Sequence, residues 1–92
     1  MMKFIILFFP FLLFVQPKAT KAAIDKKLEK SNALLIDGHT DEMIALNLSI
    51  LDDAKHINYA EGKLSAYYNL ALAFSVQYRY NKSNYYLKMM ET

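Results

Sequence analysis

The residues best suited to chemistry in this sequence are its two histidines, each of which has carboxylates close by in the chain. His39 precedes Asp41 and Glu42, and His56 follows a pair of aspartates. A zinc site needs three or four ligands, and neither cluster has a second histidine at ligand spacing. We interpret both clusters as solvated helix ends, where carboxylates at the start and a histidine at the end suit the helix dipole. The sequence therefore predicts no metal site.

Nucleophilic and phosphate-binding motifs are also missing. None of Ser49, Ser65 and Ser75 lies in a glycine-rich elbow or beside a base partner. Gly38 and Gly62 are the chain's two glycines, too few for a phosphate-binding loop. The sequence has no cysteine, which excludes disulfides, thiolate metal sites and an acylated lipoprotein cysteine. We expect neither catalytic activity nor a cofactor, and the remaining function class is binding.

The charge balance argues against nucleic acid as the partner. The net charge is +2 over 92 residues, from 11 basic and 9 acidic side chains. Three of the lysines (Lys3, Lys18 and Lys21) lie in the first 22 residues, so eight basic side chains face nine acidic ones in the remainder. A near-neutral surface has no positive field to attract a phosphate backbone. The length allows one small domain.

The first 22 residues have the composition of a secretory signal peptide. Lys3 supplies a positive start, residues 4–15 are apolar apart from one proline, and small and polar residues follow. The apolar run is shorter than the ~20 residues that span a bilayer as a helix. We expect cleavage after Ala22, with Ala19 as a second candidate, and export to the periplasm or the extracellular space. Without cleavage, residues 4–15 would instead anchor the chain in a membrane.

Residues 23–92 are predicted to form an all-α domain. Apolar residues recur at helical spacing, and we expect helices at residues 23–36, 41–55, 60–77 and 81–90. Gly38 is expected to cap the end of the first helix, and Thr40 the start of the second. The second helix is apolar on two faces, which predicts burial between neighbouring helices. These faces are Ile44, Leu48 and Leu51, and Met43, Leu46, Ile50 and Ala54.

The stretch from residue 66 to residue 90 resembles one tetratricopeptide repeat. The residues that carry the resemblance are Tyr67, Leu70, Ala71, Phe74, Ser83 and Leu87, at the family's spacing. Independently of the family, Tyr67, Leu70 and Phe74 share one helix face. Small residues at 71 and 83 predict a close approach of two helices, with Tyr67, Phe74 and Leu87 filling the space around it. The sequence departs from the family pattern at four positions, namely Ala71 for Gly, Ser83 for Ala, Leu87 for an aromatic residue, and Tyr78 where a glycine-like turn residue is common. We expect the turn at Tyr78 to form without positive φ.

When the two helix pairs are aligned by the second helix of each, Met43 corresponds to Ser83. The repeat period is therefore about 40 residues, compared with ~34 in the family. Expanded repeats of this kind resemble the N-terminal repeat regions of exported or membrane-tethered sensor and regulator proteins of bacteria. The resemblance implies two stacked helical hairpins, part of an α-solenoid that belongs to a longer transcriptional or signalling regulator. Solenoids usually need about three repeats. We therefore expect further repeats or a second copy to cover the last helix, where Tyr86, Met89 and Met90 would otherwise be uncovered.

These observations predict a scaffold or sensor module that presents a helical surface to a protein or peptide. Tyrosine and arginine are enriched at binding hot spots. The expected binding residues are Tyr68, Asn69, Tyr78, Arg79 and Tyr85, which would be exposed on the repeat surface, with Tyr67, Tyr80 and Tyr86 assigned to packing. The resemblance implies that Asn69 faces the inner groove of a curved array. Two alternatives remain: the tyrosines are edge packing with their hydroxyls in water, or the chain is a small structural protein anchored in a membrane by residues 4–15.

Overall fold

Four helices make up the part of the chain that the computed structural model describes, residues 19–91. They are α1 (Lys21–Ile36), α2 (Thr40–His56), α3 (Ala60–Val76) and α4 (Tyr80–Met90). The all-α prediction is confirmed, and the predicted helix ends differ from the observed ones by at most two residues. The apolar stretch at residues 4–15 lies outside the described residues. The assignment of this stretch as a signal peptide or membrane anchor therefore stays a prediction. Within residues 19–91, no helix is both long enough and apolar enough to cross a membrane.

Three turns of one kind connect the helices. A residue with positive φ follows each helix end by two positions, at Gly38 (81°), Asn58 (58°) and Tyr78 (62°). The next residue donates its N–H to a carbonyl five residues earlier, at 2.8 Å in all three turns. This bond defines the Schellman cap. Gly38 is therefore a helix cap as predicted. The expectation that the turn at Tyr78 avoids positive φ is wrong, because the bonding pattern requires the left-handed conformation whichever residue is present.

The helix starts are capped differently from the prediction. Thr20 caps α1, since its hydroxyl accepts a hydrogen bond from the N–H of Ala23 at 3.1 Å. Thr40 was expected to cap α2 but is its first helical residue, and the capping position belongs to His39. The Thr40 hydroxyl instead accepts a hydrogen bond from the amide of Gln77 at 2.9 Å. It thereby ties the start of α2 to the end of α3.

Consecutive helices pack side by side in opposite directions. As residue numbers rise along one helix, those of its bonded partners fall along the next. The linked pairs are Lys27–Asp53 and Ser31–Asn47 between α1 and α2, and Asn47–Asn69 and Asp41–Gln77 between α2 and α3. In addition, α1 contacts α3. Helix α3 thus contacts all three of the other described helices and lies at the centre of the domain.

The predicted apolar face of α3 is the centre of the core. Tyr67, Leu70 and Phe74 are buried, together with Ile24 from α1 and Ile50 from α2. The rings of Phe74 and Tyr86 are parallel, with centroids 5.8 Å apart.

Predictions about packing are wrong for residues of α2 and α4. Leu48, Tyr80 and Leu87 were expected inside, but each is exposed. The place beside Phe74 that was assigned to Leu87 is taken by Tyr86, whose larger ring covers the phenyl ring. Met89 and Met90 were expected to be uncovered together with Tyr86, but all three pack against the core cluster and are half-buried. The assignment of Tyr86 to packing is therefore confirmed. The open side of α4 is therefore the side that carries Tyr85 and Leu87.

Gly62 marks a close approach between α1 and α3 that the sequence did not reveal. A Cβ atom at this position would lie 2.8 Å from Cδ2 of Tyr59 and 3.1 Å from Cγ2 of Ile24. Both distances are below ordinary carbon–carbon contact. Gly62 therefore allows the first turn of α3 to pack directly on α1.

Candidate protein-binding surface

Helix α3 is apolar on its solvent side as well as on its core side. Opposite the buried face, Leu64, Tyr68 and Val76 are 42%, 53% and 50% exposed, and the half-buried Leu72 lies between them. These four residues, at intervals of four, form what we call the α3 ridge. A helix that is apolar all round is normally buried on all sides. The α3 ridge therefore has the character of a surface that another element covers.

The solvent-facing sides of α1 and α2 are mainly charged or polar, with Ile36 and Leu48 as their large apolar exceptions. Exposed charges on α1 include Lys26 and Glu29, and those on α2 include Asp41 and Asp52. Helix α4 exposes Tyr80, Tyr85 and Leu87, interspersed with Lys82 and Lys88. Helix α3 has only Glu61 and Lys63 as charged residues, both in its first turn. The α3 ridge therefore differs from the exposed apolar residues of α4 in having no charged residue among its members.

A groove runs along each side of the α3 ridge, and Tyr68 lines both. The first groove, of about 310 Å³, has Leu28 and Asn32 of α1 on its far wall. The second, of about 170 Å³, has Ala71 as part of its floor and Leu87 of α4 on its far wall. Both are lined mainly by apolar and small side chains. A ridge with a groove on each side can interdigitate with the side chains of another helix.

Asn69 lies in the floor of the first groove and not free on its surface. It is 8% exposed, and its side-chain amide donates a hydrogen bond to Oδ1 of Asn47 at 3.0 Å. Asn47 is fully buried and in turn donates to the hydroxyl of Ser31 at 2.7 Å and to the carbonyl of Met43 at 2.8 Å. The expectation of an exposed Asn69 is corrected, because this polar network across three helices draws its side chain inward. Within residues 19–91 no buried polar side-chain atom lacks a hydrogen-bond partner.

The five predicted binding residues do not form a single surface. Tyr68 and Asn69 line the first groove, Tyr78 and Arg79 line a depression at the α3–α4 turn, and Tyr85 lines a third on α4. Tyr78 is 79% exposed and Tyr85 57%. The guanidinium of Arg79 lies 5.1 Å from the centroid of the Phe74 ring, which it covers as a cation–π partner. The structure thus places Tyr68 alone of the five on the α3 ridge.

Sequence reasoning missed most of the α3 ridge. Leu64, Leu72 and Val76 gave no signal as surface residues, because an apolar residue in an apolar helix is ordinarily assigned to the core.

Two of the carboxylates that suggested chemistry each lie within 4 Å of one basic side chain. Nδ1 of His39 lies 3.8 Å from Oε1 of Glu42, and both side chains are largely exposed. In the second cluster, Asp53 forms a 2.8 Å ion pair with Lys27 of α1. Among the residues that the structure describes, no group of three histidines and carboxylates is placed to hold a metal ion.

Comparison of the chain with known protein families, with curated proteins and with solved structures found no match. The surface of α3 is therefore the feature on which a function can be proposed.

Proposed function

We propose that this chain is a helical protein-interaction module of the tetratricopeptide-repeat type, which binds a partner helix or peptide along the α3 ridge. The observation that carries the proposal is the solvent face of α3, where four apolar residues recur at intervals of four. Covering the exposed parts of Leu64, Tyr68 and Val76 would contribute roughly 1 kcal/mol each. That gain is modest, and the two grooves beside the ridge supply the additional contact that a specific partner needs.

The assignment to the repeat type has three supports. Tyr67, Leu70, Ala71 and Phe74 form the buried face that the family pattern requires. Ser83 lies against α3 where the pattern places a small residue. Stacked repeats bring alternate helices into contact, and α1 contacts α3 here. In this proposal the module acts as a scaffold or sensor within a longer regulator protein.

Export is the second element of the proposal, and it depends on the composition of the first 22 residues. The cap of α1 bears on the choice between the two cleavage sites. Cleavage after Ala22 would remove Thr20, whose hydroxyl accepts the N–H of Ala23. Cleavage after Ala19 would keep this cap, which is typically worth about 1 kcal/mol. Mass spectrometry of the N-terminus of the protein from its native source distinguishes a start at Thr20, a start at Ala23 and an uncleaved anchor.

A peptide-display selection on the full chain tests binding along the α3 ridge. The affinity of each selected peptide is then measured for wild type, Tyr68→Ala and Tyr85→Ala. The last variant is a matched control, because Tyr85 and Tyr68 are exposed to a similar degree on different helices. We expect Tyr68→Ala to weaken binding at least tenfold, and Tyr85→Ala to leave it within about twofold. Circular dichroism should show equal helicity in all three proteins. Peptides that bind Tyr68→Ala as tightly as wild type would contradict the proposal.

A further inference from the structure

We infer that a second copy of this chain binds the α3 ridge, with the two α3 helices antiparallel about a two-fold axis close to Leu70. This inference rests on the function proposed for the ridge and names its partner. It follows from a symmetry in the exposed residues of α3.

On the exposed side of α3, residues equally far before and after position 70 are of nearly the same type. A two-fold axis at that position places each residue opposite the one equally far on the other side. Leu64 then lies opposite Val76 of the second copy, and Tyr68 opposite Leu72. Ser65 and Ser75, which are half-buried on the same side of the helix, also lie opposite each other. Apolar residues thus meet apolar residues and small polar ones meet each other, as an isologous contact requires.

The charges at the two ends of the helix fit the same axis. Glu61 lies in the first turn of α3 and Arg79 just beyond its last turn, and both are exposed. Neither forms an ion pair within residues 19–91, although the Arg79 guanidinium contacts the Phe74 ring and donates a hydrogen bond to Oε1 of Gln77 at 3.5 Å. In the antiparallel arrangement Glu61 lies at the same end as Arg79 of the second copy. A parallel arrangement would bring like charges together at both ends, so the charges select the antiparallel one.

The spacing of the α3 ridge also determines how two copies can cross. Residues at intervals of four form an i±4 row, and two such rows interdigitate at a crossing angle of about −50°. At this angle the helices are closest near the axis, where Tyr68 of each copy faces the groove beside Ala71 of the other. The ends diverge, so Glu61 and Arg79 act on each other at a distance that salt screens.

A single helix crossing buries less surface than the roughly 800 Å² per partner of a standard interface. We therefore expect weak self-association, with a dissociation constant on the order of 100 µM.

Sedimentation equilibrium of the full chain, from 20 µM to 1 mM at low ionic strength, tests the inference. The variants are Glu61→Arg, Arg79→Glu and the two combined. Each single change puts like charges at both ends of the dimer, and we expect it to weaken association about three- to tenfold. The combined variant restores opposite charges and should return to within about twofold of wild type. Asp52→Arg and Lys55→Glu make the same changes in net charge on α2, which lines neither groove, and should have no effect.

Two further measurements complete the test. In 500 mM salt the single variants should approach wild type, because the end charges are screened. Tyr68→Lys should abolish association, since it places a charge at the axis. All the variants keep the same residues 1–22, so association through that segment would persist in Tyr68→Lys and would overturn the inference. The inference would also be overturned by a wild-type protein that stays monomeric at 1 mM, or by a combined variant that associates no more tightly than the single variants. Peptide binding that still depends on Tyr68 would then leave the proposed function standing.

Discussion

The hydroxyl of Ser83 donates a hydrogen bond to the carbonyl oxygen of Ala71 at 2.8 Å, across the interface between α3 and α4. Both residues are buried. A side chain this short can reach the backbone of a neighbouring helix only where the two helices pack closely. The close approach expected from small residues at 71 and 83 is therefore confirmed.

Enlarging Ser83 should destabilise the domain far more than removing its hydroxyl. Ser83→Ala loses one hydrogen bond and should lower the free energy of unfolding by about 1 kcal/mol. Ser83→Leu must separate α3 and α4, and we expect a loss of about 3 kcal/mol. Asn84→Ala, at the exposed neighbouring position, should change stability by no more than about 0.5 kcal/mol. Urea denaturation gives all three values, and a Ser83→Leu protein as stable as Ser83→Ala would contradict the packing.

Asn47 should be among the most sensitive positions in the chain. Its replacement by Ala leaves the buried side chains of Ser31 and Asn69 without their shared partner. Each unpaired buried group costs about 1–3 kcal/mol, so we expect Asn47→Ala to lower the free energy of unfolding by about 2–4 kcal/mol. Asn32→Ala, on the exposed side of α1, is the control and should be nearly neutral. Equal stability of the two variants in denaturant titrations would argue against the network.

Gly62→Ala should destabilise the protein although alanine favours helices. The helix gains about 1 kcal/mol in propensity from the change. The new Cβ would however lie 2.8 Å from the Tyr59 ring, and overpacking costs about 1–3 kcal/mol. In a Tyr59→Ala background the ring is absent, and the same substitution should cost at least about 1 kcal/mol less. A double-mutant cycle in thermal unfolding measures this coupling, and a coupling near zero would exclude the contact.

Tyr78→Gly should make the protein more stable. Tyr78 has a φ of 62° and an exposed side chain, so glycine relieves the left-handed strain and gives up little packing. We expect a gain of about 1 kcal/mol, or a rise in melting temperature of about 4–8 °C for a domain of this size. Tyr78→Ala keeps a Cβ and should gain nothing. A melting temperature for Tyr78→Gly no higher than that of Tyr78→Ala would mean that the turn is unstrained.

Stability at high pH should depend on Tyr59. Its phenol donates a hydrogen bond to the Asp25 carboxylate at 2.9 Å, and this bond raises the pKa of Tyr59, with a smaller contribution from burial. A raised pKa means that the stabilisation is complete below about pH 10 and is lost as pH rises through the folded-state pKa. The loss of stability above pH 10 should therefore be smaller in Tyr59→Phe than in wild type. Denaturation at intervals from pH 8 to pH 11 compares them, and identical profiles would contradict the bond.

Features that depend on local sequence pattern could be predicted from the sequence, whereas features that depend on contacts between helices could not. Apolar spacing predicted the four helices and the buried face of Tyr67, Leu70 and Phe74, because a helix repeats along its own chain. Gly38 was predictable as a cap because glycine accepts positive φ at little cost. Asn47 and Gly62 were missed because their roles come from other helices, where no sequence spacing records which side chains meet. Tyr78 was misjudged because hydrogen bonds of the turn override the preference of the residue.

The residues of the candidate site also divide into those that could be predicted from the sequence and those whose position depends on other helices. Tyr68 was predicted to be exposed, and it is. Asn69 was expected beside it on the surface, but a neighbour 22 positions earlier in the chain holds its side chain inside. Leu64 and Val76 could not be assigned to the surface, since whether an apolar residue is covered depends on the placement of neighbouring helices.

The regular interval between the three turns has a consequence for how such a chain can change length. The turn residues Gly38, Asn58 and Tyr78 are 20 positions apart, and neighbouring helices run in opposite directions. A duplication or deletion of 40 residues would leave every later helix pointing as before. One of 20 residues would reverse them all. Growth by duplication would therefore preserve this architecture only in steps of two helices.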